Sequence, residues 1–264
     1  MVSFDFTIPM GDKNKGTVYL SDAQTKNRPV IIYCHGWGGS RKLWQPTQEL
    51  CDRAMKANIA FVTFDFFGCG ETGGEYSEMT YARWKRNLSD VLDWCSAQPF
   101  ANAAQVGCYA FSSGSTAALR LAAEDRRVAF VVSVGTCISA HIGMSGGGPA
   151  KIFADHCRTL LTGEKKSIFG VDFGAEFYID TIGNAPVHSV DRIQCPVLFL
   201  QGLQDNPYRC ADARLAADIM RRKNLDATII EYENGTHELE NVMNEALNDL
   251  FAWLPTRVTE IREK

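Results

Sequence analysis

No apolar run in this chain approaches the ~20 residues needed to cross a bilayer. No excess of basic residues is present to attract nucleic acid or an anionic surface. Asp and Glu outnumber Lys and Arg by 31 to 27. The nine cysteines include no C-x-x-C pair. Their odd number and wide spread argue against a disulfide framework and for small buried apolar residues in a reducing compartment. Internal repeats and low-complexity tracts are missing, and the first fifteen residues lack the apolar core of a signal peptide. These absences predict a cytoplasmic protein with no nucleic-acid or membrane partner. The length of 264 residues and the 45% hydrophobic content suit one large domain with a small insertion, or two small domains.

What remains is alternation. Pro29 to Cys34, Ala60 to Phe66, Val106 to Phe111, Ala129 to Val134, Val197 to Leu200 and Thr228 to Tyr232 read as strands. Leu43 to Lys56, the face Tyr81/Trp84/Leu88/Val91/Cys95, Ser113 to Glu124, Ala211 to Arg221 and Leu239 to Leu254 read as helices between and after them. That order predicts an α/β fold, a mostly parallel eight-stranded sheet with helices on both faces. The opening strand-like pair, Val2 to Ile8 and Gly16 to Leu20, has no helix between its members and predicts an antiparallel edge. Residues 139–190 break the alternation. They are expected to form a lid inserted into a core of residues 1–138 and 191–264, above the carboxyl ends of the strands where open α/β sheets bind ligands.

Ala110-Phe111-Ser112-Ser113-Gly114 stands between a strand and a helix. Small residues two places either side of a serine permit the sharp turn that lifts a nucleophile above the sheet. A serine needs a base, and the base an orienting acid, in the chain order Ser, Asp/Glu, His. Asp205 and His237 each follow a strand, in that order. Ser112, Asp205 and His237 are therefore the expected catalytic residues. His35-Gly36-Trp37-Gly38-Gly39 follows the central strand, so the backbone N–H groups of Trp37 and Ser113 are the expected oxyanion donors. His35 and Asp65 are read as braces for their loops. His141, Phe153, Phe169, Phe173, Phe177 and Tyr178, all in the insertion, are the candidates for a substrate pocket. No metal and no cofactor are expected: H-E-x-x-H fails because Asn241 follows His237-Glu238, and no G-K-[ST] closes the glycine run at 146–148.

These residues together resemble the α/β-hydrolase superfamily across nearly the whole chain. Phe64-Asp65-Phe66-Phe67-Gly68-Cys69-Gly70-Glu71-Thr72-Gly73-Gly74-Glu75-Tyr76, followed by Met79-Thr80, resembles a segment of bacterial feruloyl (cinnamoyl) esterases that reads F-D-F-N-G-H-G-x-S-D-G-x-F. Phe67 and Cys69 depart from it, as does the elbow, which is usually G-H-S-Q-G-G. The resemblance implies cofactor-free serine catalysis on a small carboxylic ester, in that family an aromatic ester of the cinnamoyl type, through an acyl-enzyme and with a small lid. The same three residues equally serve a thioesterase or acyltransferase, and a binding module on a hydrolase scaffold stays open as a different class. A homodimer is compatible with the sequence.

Overall fold

The computed structural model describes residues 1–139, 148–168 and 170–258, the side chains of 148–153 excepted. The chain enters as β1 (Val2–Thr7) and β2 (Lys15–Leu20), then β3 (Arg28–Cys34), α1 (Gln45–Lys56), β4 (Ala60–Phe64), α2 (Tyr81–Ser96), β5 (Ala101–Phe111), α3 (Ser113–Glu124) and β6 (Val131–Val134). After residue 139 come α4 (Gly148–Thr162), β7 (Lys166–Ile168), β8 (Val171–Phe173) and α5 (Ala175–Gly183). The chain closes with β9 (Val197–Gly202), α6 (Pro207–Arg222), β10 (Ala227–Tyr232) and α7 (Met243–Arg257).

Eight strands form one sheet in the order β1-β2-β4-β3-β5-β6-β9-β10. β1 and β2 are antiparallel to each other, and β2 is antiparallel to β4; the pairs from β4 to β10 are parallel. The sequence explains this split. Strands covered on both faces are continuously apolar, as in Val30–Cys34 and Val197–Leu200, which are buried throughout. β2 instead alternates buried and half-buried residues, as a strand with one open face does. One apolar layer, around Trp84, Leu88 and Val91 of α2 and the alanines of α3, covers one face. Leu50 and Ala54 of α1 with Leu247, Leu250 and Leu254 of α7 cover the other.

Two expectations differ in detail. The closing helix does not run from Leu239: that residue takes a left-handed φ of 58°, and residues 240–242 form a short 3₁₀ turn before α7 begins. The 139–190 stretch does hold regular structure, with two helices flanking a hairpin of three-residue strands. Strands that short carry too few residues to show an alternation.

α5 is fastened to the parallel-sheet body by a buried charge pair. Arg120 on α3 lies 3.3 Å from Asp180, with side chains only 6% and 9% exposed. Asp180 Oδ2 also accepts the Tyr81 N–H at 2.6 Å and the Ala82 N–H at 3.1 Å, at the start of α2. Asp180→Ala strands a buried guanidinium and two helix N–H groups, so it is expected to cost about 3–5 kcal/mol in denaturant unfolding. A loss below about 1 kcal/mol would contradict the anchoring.

Candidate active site

The carboxyl ends of β3, β5, β6, β9 and β10 converge, and the loops leaving them carry the site. At the end of β5 the chain turns at Ser112, whose φ of 51° and ψ of −118° are a conformation that non-glycine residues rarely hold. Such strain costs on the order of 1–3 kcal/mol and persists only where the surroundings impose it. They do so here. Ser112 N–H donates to the Val134 carbonyl at 2.8 Å, Ser115 N–H to the Ser112 carbonyl at 2.9 Å, and Ser115 Oγ to the Ala110 carbonyl at 2.8 Å. Gly114 lets α3 start this close to β3, because a Cβ there would lie 2.3 Å from the Cys34 carbonyl oxygen.

The three residues singled out by their order in the sequence meet. His237 Nε2 is 3.1 Å from Ser112 Oγ, and His237 Nδ1 is 2.7 Å from Asp205 Oδ2. Asp205 Oδ1 accepts the Asn206 N–H at 2.6 Å, and Oδ2 accepts Gln201 Nε2 at 3.2 Å. Burial pushes the Asp205 carboxyl up, but His237, the Asn206 N–H and the nearby Arg209 charge outweigh it and hold the acid below its ordinary value. An ionised Asp205 takes the Nδ1 proton as a hydrogen bond, which leaves Nε2 free to accept from Ser112. Gly135, with φ of 57°, makes room for the imidazole: a Cβ there would sit 2.6 Å from His237 Cε1. Phe111 also packs against the ring, centroids 5.0 Å apart.

The β3 loop presses against the same serine. A Cβ on Gly36 would lie 3.2 Å from Ser112 Cβ. Trp37, half-buried, follows Gly36, and Ser113 is fully buried in the first turn of α3. His35 braces this loop. Phe66 N–H donates to its Nε2 at 3.1 Å, so its own proton sits on Nδ1, 2.8 Å from the Gly36 carbonyl. Asp65 is likewise occupied: it accepts the Arg41 N–H at 2.6 Å, Arg41 Nη1 at 2.9 Å and the Glu71 N–H at 2.9 Å.

Burial lowers the His35 pKa to about 4, against the opposing pull of the Gly36 carbonyl and Asp65. The unfolded chain therefore binds a proton below its ordinary 6.5 that the native chain refuses, and stability falls as pH falls across that window. The expected loss between pH 6.5 and 4.5 is about 2–3 kcal/mol. Asp205 adds a loss of the same sign at lower pH. Urea unfolding at the two pH values checks this, and equal stabilities would contradict the neutral buried imidazole.

The substrate-pocket candidates fare differently. Phe173 and Phe177 are buried, stacked 4.3 Å apart, and packed on Trp37 at 5.2 and 6.1 Å. They fill space beside the loop, although Phe177 also touches a cleft of about 310 Å³ with Arg83 and Lys165. Tyr178 is 1% exposed and sits against Phe177. His141, Phe169 and the Phe153 side chain lie outside the described residues. Three partners went unread in the sequence. Gln201 and Arg209 support Asp205, and Tyr76 Oη accepts the Gly38 N–H at 3.1 Å while its ring packs edge-on against Trp37 at 5.2 Å. Nothing in their spacing marks them.

Comparison with known proteins agrees with this architecture. A family model described as "alpha/beta hydrolase fold" matches residues 29–145. An uncharacterized 31.7 kDa protein from the traX-finO intergenic region of Escherichia coli is 25% identical over 210 residues, covering 67% of this chain and 73% of that one. Lysophosphatidylserine lipase ABHD12 of Rattus norvegicus is 30% identical over 104 residues, 39% of this chain and 25% of that protein. Among solved structures, Est1E from Butyrivibrio proteoclasticus with ferulic acid bound superposes with a TM-score of 0.75 at 17% identity, covering 96% of this chain and 99% of that one. The α/β hydrolase GrgF from Penicillium sp. sh18 follows at 0.73 and 19%, covering 97% and 99%. By sheet order, matched family model and solved neighbours, this chain is an α/β-hydrolase-fold protein.

Proposed function

We propose that the chain is a serine hydrolase that cleaves a small carboxylic ester through an acyl-enzyme. The observation that carries this reading is the hydrogen-bonded run Ser112 Oγ–His237 Nε2 at 3.1 Å and His237 Nδ1–Asp205 Oδ2 at 2.7 Å, mounted on a strained turn. Strain of that kind at an assembled polar site favours function over accident.

In this mechanism His237 Nε2 takes the Ser112 proton as Oγ bonds to the ester carbon. The carbonyl oxygen becomes an anion facing the N–H groups of Trp37 and Ser113, each worth about 3–4 kcal/mol to the transition state. Asp205 holds the imidazole tautomer and stabilises its cation. The carbon–alkoxy bond then breaks, and the alcohol leaves with the proton from His237. Water gives a proton to His237, adds to the acyl carbon, and the Ser112 Oγ–acyl bond breaks as the serine regains its proton, releasing the acid. In this reading the described part of residues 139–190 serves as the lid, with Phe173 and Phe177 packed on Trp37 of the β3 loop.

A solved neighbour with ferulic acid bound and a relative named as a lysophosphatidylserine lipase both favour an ester as substrate. The test is a panel of methyl cinnamate, simple acetates and acyl-coenzyme A thioesters, each run on the wild type and on Ser112→Ala. Ser112-dependent ester turnover with kcat/KM at least about tenfold above the thioesters is expected. The reverse preference would assign thioester chemistry, and no Ser112-dependent turnover would remove the hydrolase reading.

A further inference from the structure

In the inserted segment, the expected home of the substrate pocket, Phe173 and Phe177 pack against Trp37, and Phe177 also borders the cleft with Arg83 and Lys165. Open space borders the site on its other flank, over α1. A cleft of about 470 Å³ lies between the β3 loop and the loop that carries His237, with Gly36, Trp37, Trp44, Phe111, Lys42 and Glu238 among its walls. Each proposed reacting element has an immediate neighbour there: Gly36 and Trp37 for the oxyanion loop, Phe111 before Ser112, Glu238 after His237. The volume falls within the ~300–1,000 Å³ usual for small-molecule sites.

A second, smaller recess of about 20 Å³ adjoins this cleft and shares Tyr33, Trp44, Phe111 and Glu238 with it. Its other walls include Leu50, Tyr109, Val134 and Met243, so it is apolar and aromatic. Trp44 is 41% exposed, an uncommon position for so large an apolar ring. Its backbone is nevertheless anchored at the start of α1, where its N–H donates to Thr47 Oγ1 at 3.0 Å and its carbonyl accepts the Gln48 N–H at 2.8 Å. Phe111 is fixed by the His237 ring at 5.0 Å. Lys42 and Glu238 bring opposite charges to the wall, so the mouth favours neither an anion nor a cation.

We propose that this cleft is a specificity subsite for one arm of the ester, a flat, uncharged apolar group seated between Trp44 and Phe111, with its tip toward the recess. The inference rests on the hydrolase reading and moves the selecting surface from the inserted segment to the α1 side. Trp44 is thus a specificity-determining residue, acting through contact with that arm.

The test compares two ester pairs on the whole chain. Methyl cinnamate against methyl acetate varies the acyl arm, and benzyl acetate against methyl acetate varies the alcohol arm. In the wild type the aromatic member is preferred in one pair, which identifies the arm that enters the cleft. Trp44→Ala is expected to reduce that preference, as a ratio of kcat/KM values, by about 10- to 100-fold, mainly through KM. Trp44→Phe, which keeps a ring at the same place, is expected to restore the ratio to within about threefold. Ser112-dependent turnover with ratios unmoved by Trp44→Ala, or reduced equally for every ester, would overturn the subsite and leave the hydrolase reading intact. Absence of Ser112-dependent turnover would overturn both.

Discussion

Ser112→Ala is expected to lower kcat for ester hydrolysis by about 10⁶-fold while shifting folding stability by no more than about 1 kcal/mol. The asymmetry follows from where the hydroxyl is used. Ser112 Oγ bonds to His237 Nε2 at 3.1 Å, and the turn itself is held by backbone groups and by Ser115, which the substitution leaves in place. Alanine also accepts no more strain than serine does at a φ of 51°. Steady-state kinetics and a thermal melt on the same preparation check both halves. Activity within a hundredfold of wild type would place the nucleophile elsewhere, and a collapsed melt would make Ser112 a structural residue.

Asp205→Asn is expected to reduce turnover by about 10⁴-fold, the size of effect known when an orienting acid loses its charge. The local geometry explains why the amide is no substitute. Asp205 accepts from three donors: His237 Nδ1 at 2.7 Å, Gln201 Nε2 at 3.2 Å and Asn206 N–H at 2.6 Å. An asparagine offers one acceptor oxygen and one NH₂ group. With its oxygen toward His237, its NH₂ faces the Asn206 N–H. With its NH₂ toward His237, it faces Gln201 and forces the imidazole proton onto Nε2, where the histidine cannot take one from serine. Either placement sets two donors against each other. Turnover within tenfold of wild type would move the acid to another residue. Asp65 is poorly placed to be that residue, since Arg41 and the Glu71 N–H occupy both its oxygens.

Much of this arrangement was legible before any coordinates. Parallel strands buried on both faces must be continuously apolar, so β3, β5 and β9 announced themselves. Ser112, Asp205 and His237 each follow a parallel strand, and the carboxyl ends of parallel strands share one edge of the sheet. Their meeting was therefore a consequence of topology. The glycines at 36 and 114 were readable for a similar reason, since only a missing side chain leaves room for Phe111 and Ser112 beside the first and for the β3 backbone beside the second.

What escaped the sequence was whatever depends on which face of a residue is already occupied. Phe173 and Phe177 have the same side chain whether they wall a pocket or fill a core, and nothing in their spacing announced that both would pack on Trp37. Gln201 ends a buried strand and gives no hint that its amide reaches Asp205. The α1-side cleft is assembled from the loops or ends of strands distant in sequence, so no single window of residues describes it. Leu239 takes a left-handed conformation that its side chain disfavours, and the apolar periodicity therefore ran past the true start of α7.

The most direct test of the central claim is the intact mass of the protein after treatment with a fluorophosphonate, read on the wild type and on Ser112→Ala. A single adduct on the wild type and none on the variant is the predicted result, because only a serine activated by His237 and facing oxyanion donors reacts at a useful rate. An unmodified wild type, or an adduct that persists in Ser112→Ala, would contradict the assignment of Ser112 as an activated nucleophile.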